Sequence, residues 1–276
     1  MATDDWRTRL TQLLDRAVEE HGPEAVRAVL GGELDRLAAA TPEPLVVEVP
    51  VLGVDACPGG WVGVLLAPDS RPAALTSRSI SALVELARES APVVVVGIDI
   101  PIGLPDRGGR QADVLARRAL PGKGSSVFPT PTRNAYAAAT YEEARAQNVA
   151  ATGGTSLSAQ AWGLRTKVLE VDAWLRSRPA VEVIEVHPEL SFARLAGAPI
   201  LTRKKDPDGL RARRQALEAV GLVPPLWFRG AEFGEDDLLD ACAAAWTAVR
   251  HARGEAESLP DVPEVFSDGI RAAIWV

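Results

Sequence analysis

Cysteine is nearly absent from this chain of 276 residues: Cys57 and Cys242 stand far apart, with no metal-ligand spacing around either. That excludes a disulfide framework and a cysteine-built zinc site, and free thiols in a reducing compartment are the simplest expectation. No run reaches the roughly 18–20 apolar residues of a membrane span. The first residues, MATDDWRTRL, lack the apolar core of a signal peptide, so the expected location is cytoplasmic with no membrane partner. Positive charge is in deficit, with 30 Lys and Arg against 37 Asp and Glu and a net charge of −7. Such a balance argues against a protein that coats nucleic acid nonspecifically, but not against an enzyme with a local basic track. Two such tracks occur: Arg107, Arg110, Arg117, Arg118, Lys123 and Arg133, then Arg203, Lys204, Lys205, Arg211, Arg213 and Arg214. A full P-loop is missing, since Gly122-Lys123-Gly124 lacks its spacing, and there is no internal repeat.

What the chain does have is acid at the end of apolar runs. VLGVD ends on Asp55 and VVVVGID on Asp99, while Asp237 and Asp240 open the alanine-rich segment DDLLDACAAAWTAVRH. A carboxylate closing a buried strand is costly unless something compensates it. Mg²⁺ or Mn²⁺, which prefer carboxylate oxygens, would do so. Asp237 and Asp240 are three residues apart and share one helical face. Ala241, Ala244 and Ala248 continue that face with small side chains that let the helix lie close to a sheet. Taken alone, Asp236 and Asp237 also suit a simpler role as acids in a first helical turn.

Periodicity divides the chain into an N-terminal helical hairpin over 1–44, broken at His21-Gly22-Pro23, and a domain over 45–276. Leu34 and Leu37 continue the apolar stripe of the hairpin, which must pack on this chain or on a second copy, so a homo-oligomer through these helices is an open expectation. The second part opens with three strands as an antiparallel meander, Leu45–Asp55, Trp61–Ala67 and Ala73–Ile80. A helix and a fourth strand over Val93–Ile100 follow. That strand is apolar throughout and so central. A helical insertion over about 106–180 precedes a fifth strand at Val181–His187. The last strong helix is Asp236–Arg253, and the tail ends in a short apolar stretch, Gly269–Val276. The expected fold is α/β: a mixed five-stranded sheet, three strands antiparallel and the rest parallel, flanked by helices.

The blocks GVDACPGGWV, IDIPIGLP, RQADVLAR, SSVFPTP, EVHPELSF and DDLLDACAAAW, in this order over about residues 51 to 275, resemble the family of predicted RNase H-like nucleases defined by domain of unknown function 429. The wider resemblance is to RNase H-like nucleases and RuvC-type resolvases. It implies that Asp55 on the first strand, Asp99 on the fourth, and Asp237 with Asp240 on a late helix hold metal. Two Mg²⁺ or Mn²⁺ ions about 3.5–4 Å apart would then serve phosphodiester hydrolysis of nucleic acid, DNA or RNA. The fourth-strand acid is often Glu in those enzymes and is the shorter Asp99 here, which leaves room for Glu185 as an auxiliary ligand. Glu185 and His187 fall on one strand face, and His187 is a candidate proton shuttle. Glu189 suits a helix N-terminus or the site. Arg110, Ser125, Ser126, Arg133 and Lys167 are candidates for gripping phosphate, with structural ion pairs as the alternative for the charged ones. Two rival readings stay open: a non-catalytic binding protein that keeps the fold, and a small-molecule phosphotransferase of the actin-like type.

Overall fold

The computed structural model describes residues 5–30, 42–227 and 231–276. The chain divides into two units, Met1–Glu43 and Pro44–Val276. In the first unit, α1 spans Asp5–His21, and Gly22 takes φ +82° before a helix, α2, over residues 23–30. Leu13 and Val29 are exposed within this unit. Leu34 and Leu37, the rest of the expected hairpin stripe, lie outside the described residues.

The second unit is organised by one mixed sheet of seven strands in the order β3-β2-β1-β4-β5-β7-β6. The meander is β1 (Val51–Cys57), β2 (Gly60–Leu66) and β3 (Ala73–Ser77), paired antiparallel. β4 (Val95–Ile98) lies parallel to β1 and β5 (Glu182–Val186) parallel to β4. β4 is the middle strand and is buried on both faces, as its unbroken apolar run dictates.

The two strands beyond the expected five are β6 (Ser258–Val265) and β7 (Arg271–Trp275). β7 runs parallel to β5 and β6 closes the edge antiparallel to it. β6 escapes sequence reading because Pro260 and Pro263, with Asp261 and Glu264, break any strand pattern. An outer strand tolerates prolines because half of its backbone groups need no ladder partner. The region 199–234 likewise holds a helix, α10 (Pro207–Glu218), begun by Pro207 at a position where the missing N–H costs nothing.

Helices cover both faces. On one lie α9 (Pro188–Ala196), α10 and α11 (Glu235–Ala252), packed through a core that includes Val62, Val64, Val95, Phe192 and the run Leu238–Val249. On the other lie α3 (Ile80–Ser90) and α8 (Arg165–Arg176), joined through Leu83, Val84, Val168 and Val171 to Leu52, Val54 and Ile98. Glu170 of α8 ties this layer together, accepting from Ile80 N at 2.7 Å and from the buried Trp61 Nε1 at 3.1 Å. The insertion supplies α4 (Gln111–Ala119), α5 (Arg133–Ala137), α6 (Tyr141–Thr152) and α7 (Ala159–Gly163). α7 and α8 follow one another directly, separated only by Leu164. Among the described residues no helix is long and apolar enough to cross a membrane.

α11 packs very closely on the floor formed by β1 and β4. Gly53 and Gly97 are register partners on these neighbouring strands. A Cβ on Gly53 would stand 2.0 Å from Ala245 N and 2.2 Å from Ala241 O, and one on Gly97 2.7 Å from Ala244 O. Helix backbone thus rests on strand backbone, with alanines above and glycines below.

Candidate metal centre

The glycine floor determines where the acids go. In each strand segment the aspartate follows the glycine by two residues and so points to the same face, towards α11. Asp55 is the fifth residue of β1. Asp99 follows β4, and its N–H donates to Val54 O at 2.9 Å, so the ladder to β1 holds it in place. Asp240 comes from the second turn of α11, one turn before Ala244 and Ala245. Because α11 sits so low on the sheet, one carboxylate oxygen from each of Asp55, Asp99 and Asp240 lies within 4.8 Å of the others. Asp55 and Asp240 are buried, at 6% and 3% exposure, while Asp99 is half-buried and opens onto a cavity of about 280 Å³.

Three carboxylates this close in poor solvent cannot all ionise cheaply. Burial, then the neighbouring Asp99 and Asp240, hold Asp55 well above the usual carboxylate range. Burial pushes Asp99 up to about 7, opposed by Lys204 and reinforced by Glu189. Asp240 rises to about 6, again through burial first, with Lys204 opposing and Asp99 reinforcing. The charge that relieves them within the protein is Lys204, from the turn before α10. Its Nζ donates to Asp240 Oδ2 at 2.6 Å and stands 3.7 Å from Asp236 Oδ2. These acids keep the ammonium charged, raising its pKa against the opposing effect of burial.

A stability consequence follows with a definite sign. A carboxyl whose folded pKa is raised contributes stability that is fully present below its unfolded value near 3.8 and is lost as pH rises through the folded value. In EDTA, Asp99→Asn is therefore expected to be more stable than the parent at pH 8 by about 2 kcal/mol, allowing for solvent screening from the cavity. The gain should shrink towards zero near pH 4. Denaturant melts at both pH values check this, and equal stability of the two proteins at pH 8 would refute the electrostatic strain.

The other expected site residues fall into three groups. Asp237 lines the same cavity but is not one of the three clustered carboxylates; its Oδ2 accepts from Gly234 N at 3.0 Å, capping α11. Burial is the main cause of its raised pKa. Of the four expected aspartates, three cluster and Asp237 caps the helix, where the dipole and the free N–H at the start of α11 favour an acid.

Glu185 and His187 also line the cavity. Glu185 is fully engaged: Arg110 donates to both of its oxygens, at 2.7 and 2.8 Å, and Ile102 N to Oε2 at 2.7 Å. Arg110 itself is 1% exposed and also grips Asp113 and Ile102 O. Glu185 and Arg110 are therefore partners in a buried ion-pair network beside the cavity. His187 is held below the usual imidazole range, chiefly by burial, and so is neutral near pH 7. Its Nε2 lies 3.4 Å from Ser126 O, while Nδ1 is buried with no hydrogen-bond partner.

The remaining phosphate candidates scatter. Ser126 lines the cavity, but Ser125 is exposed away from it. Arg133 is clamped by Asp172 at 2.9 Å and by Asp268. Lys167 stands 4.4 Å over the Trp61 ring. Neither lines the cavity. The second basic track does reach it, through Lys204, and behind it Glu189 accepts from Lys123 at 3.2 Å and from Arg213 at 2.7 Å. Lys204 was visible in sequence only as part of a basic run. The paired GVD and GID were a better signal, since each places a glycine two residues before its acid. Cys57 is buried, and burial raises its thiol pKa, so it stays protonated.

The donor set is all carboxylate oxygen, largely buried, mutually repelling and only partly neutralised by one lysine, which is a fit for a hard divalent cation. Asp55, Asp99 and Asp240 are the residues that would hold it.

No curated protein and no solved structure matches the chain. A family model does, over residues 53–265, which takes in most of β1 and all of β4, β5, α11 and β6. The chain belongs to the family described as protein of unknown function, DUF429.

Proposed function

We propose that this protein is a divalent-metal-dependent phosphodiesterase acting on nucleic acid, built on an RNase H-like core extended by β7 and β6. The observation that carries the reading is the convergence of Asp55, Asp99 and Asp240, from the first strand, the fourth strand and a late helix, to within 4.8 Å. The order β3-β2-β1-β4-β5 supports the fold part of it. When bound, Mg²⁺ or Mn²⁺ supplies the positive charge that lowers the cost of activating water and of releasing an alkoxide.

The chain's own residues would do the rest. Asp55, Asp99 and Asp240 hold the cation against the floor of the cavity. His187, neutral at pH 7 and with Nδ1 unclaimed, accepts a proton from the attacking water or passes one on. The Arg110–Glu185–Asp113 network fixes the wall beside them without itself touching substrate. The cavity, about 280 Å³, is at the small end for an enclosed ligand. That size suits one phosphodiester and its neighbouring nucleoside better than a whole duplex.

The test is cleavage of end-labelled single- and double-stranded DNA and RNA by the purified protein. Products are expected with Mn²⁺ or Mg²⁺ and none with EDTA. Cleavage that persists in EDTA, or no cleavage of any of the four substrates with either ion, would overturn the proposal.

A further inference from the structure

Lys204 carries a function beyond neutralising acid, and the argument rests on the metal reading of the preceding section. Its ammonium has two places to go. One is Asp240 Oδ2, 2.6 Å away, which belongs to the carboxylate cluster. The other is Asp236 Oδ2, 3.7 Å away, which is buried and has no hydrogen-bond partner. Asp236 lies four residues before Asp240, one turn back along α11. A buried carboxylate oxygen without a hydrogen bond is costly and would gain from a donor moving closer. Among the described residues one other ammonium stands near it, that of Lys205 at 3.7 Å, and its side chain is 77% exposed.

The backbone around Lys204 is held from several sides, whereas its side chain is held by its hydrogen bond to Asp240. Asp206 N donates to Arg203 O at 3.1 Å, closing the turn. Thr202 O accepts from Lys123 Nζ at 3.1 Å. A Cβ on Gly209 would lie 1.8 Å from Arg203 O, so α10 presses on the same turn. The Lys204 side chain, in contrast, is 37% exposed.

We infer that Lys204 is an exchangeable internal counter-ion. It occupies Asp240 until a divalent cation arrives, then passes to Asp236, leaving Asp240 free as a ligand and standing at the cavity rim as a positive group for a substrate phosphate. The exchange breaks one ion pair and forms another, with no covalent step. An ammonium and a divalent cation on the same carboxylate repel each other, so a cation must displace Lys204 to use Asp240 fully.

The experiment is titration of the full chain with Mn²⁺ by calorimetry, with thermal melts to show each variant folded. Lys204→Met keeps the aliphatic stem and removes the competitor, and it should bind Mn²⁺ about tenfold tighter than the parent. Lys204→Gln serves the same purpose should the methionine variant fail to fold. Asp236→Asn removes the second docking place and should weaken Mn²⁺ binding severalfold in the parent, yet have little effect once Lys204 is Met. That non-additivity is the signature of action through Lys204. Unchanged or weaker binding in both Lys204 variants, with the parent still binding, would overturn the exchange and leave the metal reading standing. Equal effects of Asp236→Asn in both backgrounds would also overturn it. No Mn²⁺ binding by the parent or either variant would overturn the metal reading and the exchange together.

Discussion

Asp55→Asn is expected to lower divalent-metal-dependent cleavage about a thousandfold or more while leaving the protein folded. The amide keeps the shape of the side chain and the acceptor for Ala56 N, which donates to Asp55 Oδ1 at 2.7 Å. What it removes is one of three charges that a cation must see at once. Asp240→Asn should behave alike, since it too sits in the cluster. The informative control is Asp237→Asn. Its carboxylate caps α11 at Gly234, so it should lose about tenfold or less in cleavage and about 1 kcal/mol in stability. Should Asp237→Asn prove as damaging to cleavage as Asp55→Asn, the three-carboxylate site is wrong and the helix cap is itself a ligand. The parallel measurement is Mn²⁺ affinity, which should fall with Asp55→Asn and hold with Asp237→Asn. Full retention of affinity in Asp55→Asn would separate the metal from this cluster altogether.

Gly53→Ala is expected to cost about 3 kcal/mol or more, the upper range for overpacking a core, because nothing near it can yield. The atoms in the way are backbone: Ala245 N at 2.0 Å and Ala241 O at 2.2 Å. Relief requires α11 to lift from the sheet or β1 to bow away. Either movement parts Asp240 from Asp55, so Mn²⁺ binding should fail even in whatever fraction stays folded. Urea denaturation read by tryptophan fluorescence gives the stability, and calorimetry gives the metal affinity. Gly163→Ala is the matched control. It lies at the end of α7 with nothing within 4 Å of the added methyl, and it should be neutral or slightly stabilising. A loss below about 1 kcal/mol in Gly53→Ala would show that the contact between helix and floor is looser than its geometry.

These two predictions join stability and chemistry at one place. The glycines that let α11 approach and the aspartates that need its approach are two residues apart on the same strands. The repulsion among the aspartates is the cost of having the site ready, and Asp99→Asn and Lys204→Met measure that cost from opposite sides. Removing an acid should stabilise the protein and weaken the site, whereas removing the lysine should strengthen cation binding. A site built for substrate rather than for stability behaves this way.

The sequence by itself determined the local elements and the kind of chemistry. Val95–Ile98 had to be a central strand because four apolar residues in a row need cover on both faces. Thr140 with Glu143 had to begin α6, since side chain and backbone cap each other there. Asp55, Asp99 and Asp240 were legible as expensive acids at the ends of buried runs, and the family was legible in six ordered blocks. Tertiary structure alone decided which charges meet. Asp237 and Asp240 are equivalent by helical spacing, but only one turns to Asp55, because the other is claimed by the first turn of its own helix. Glu185 and Arg110 are 75 residues apart and could not be paired from sequence. Nor could Lys204, one of six basic residues in its run, be singled out before α10 placed its turn against α11. Patterns along the chain record what each residue needs from water and backbone. Which partner meets that need depends on long-range packing, and here that packing is set by two glycines that allow one helix to come close.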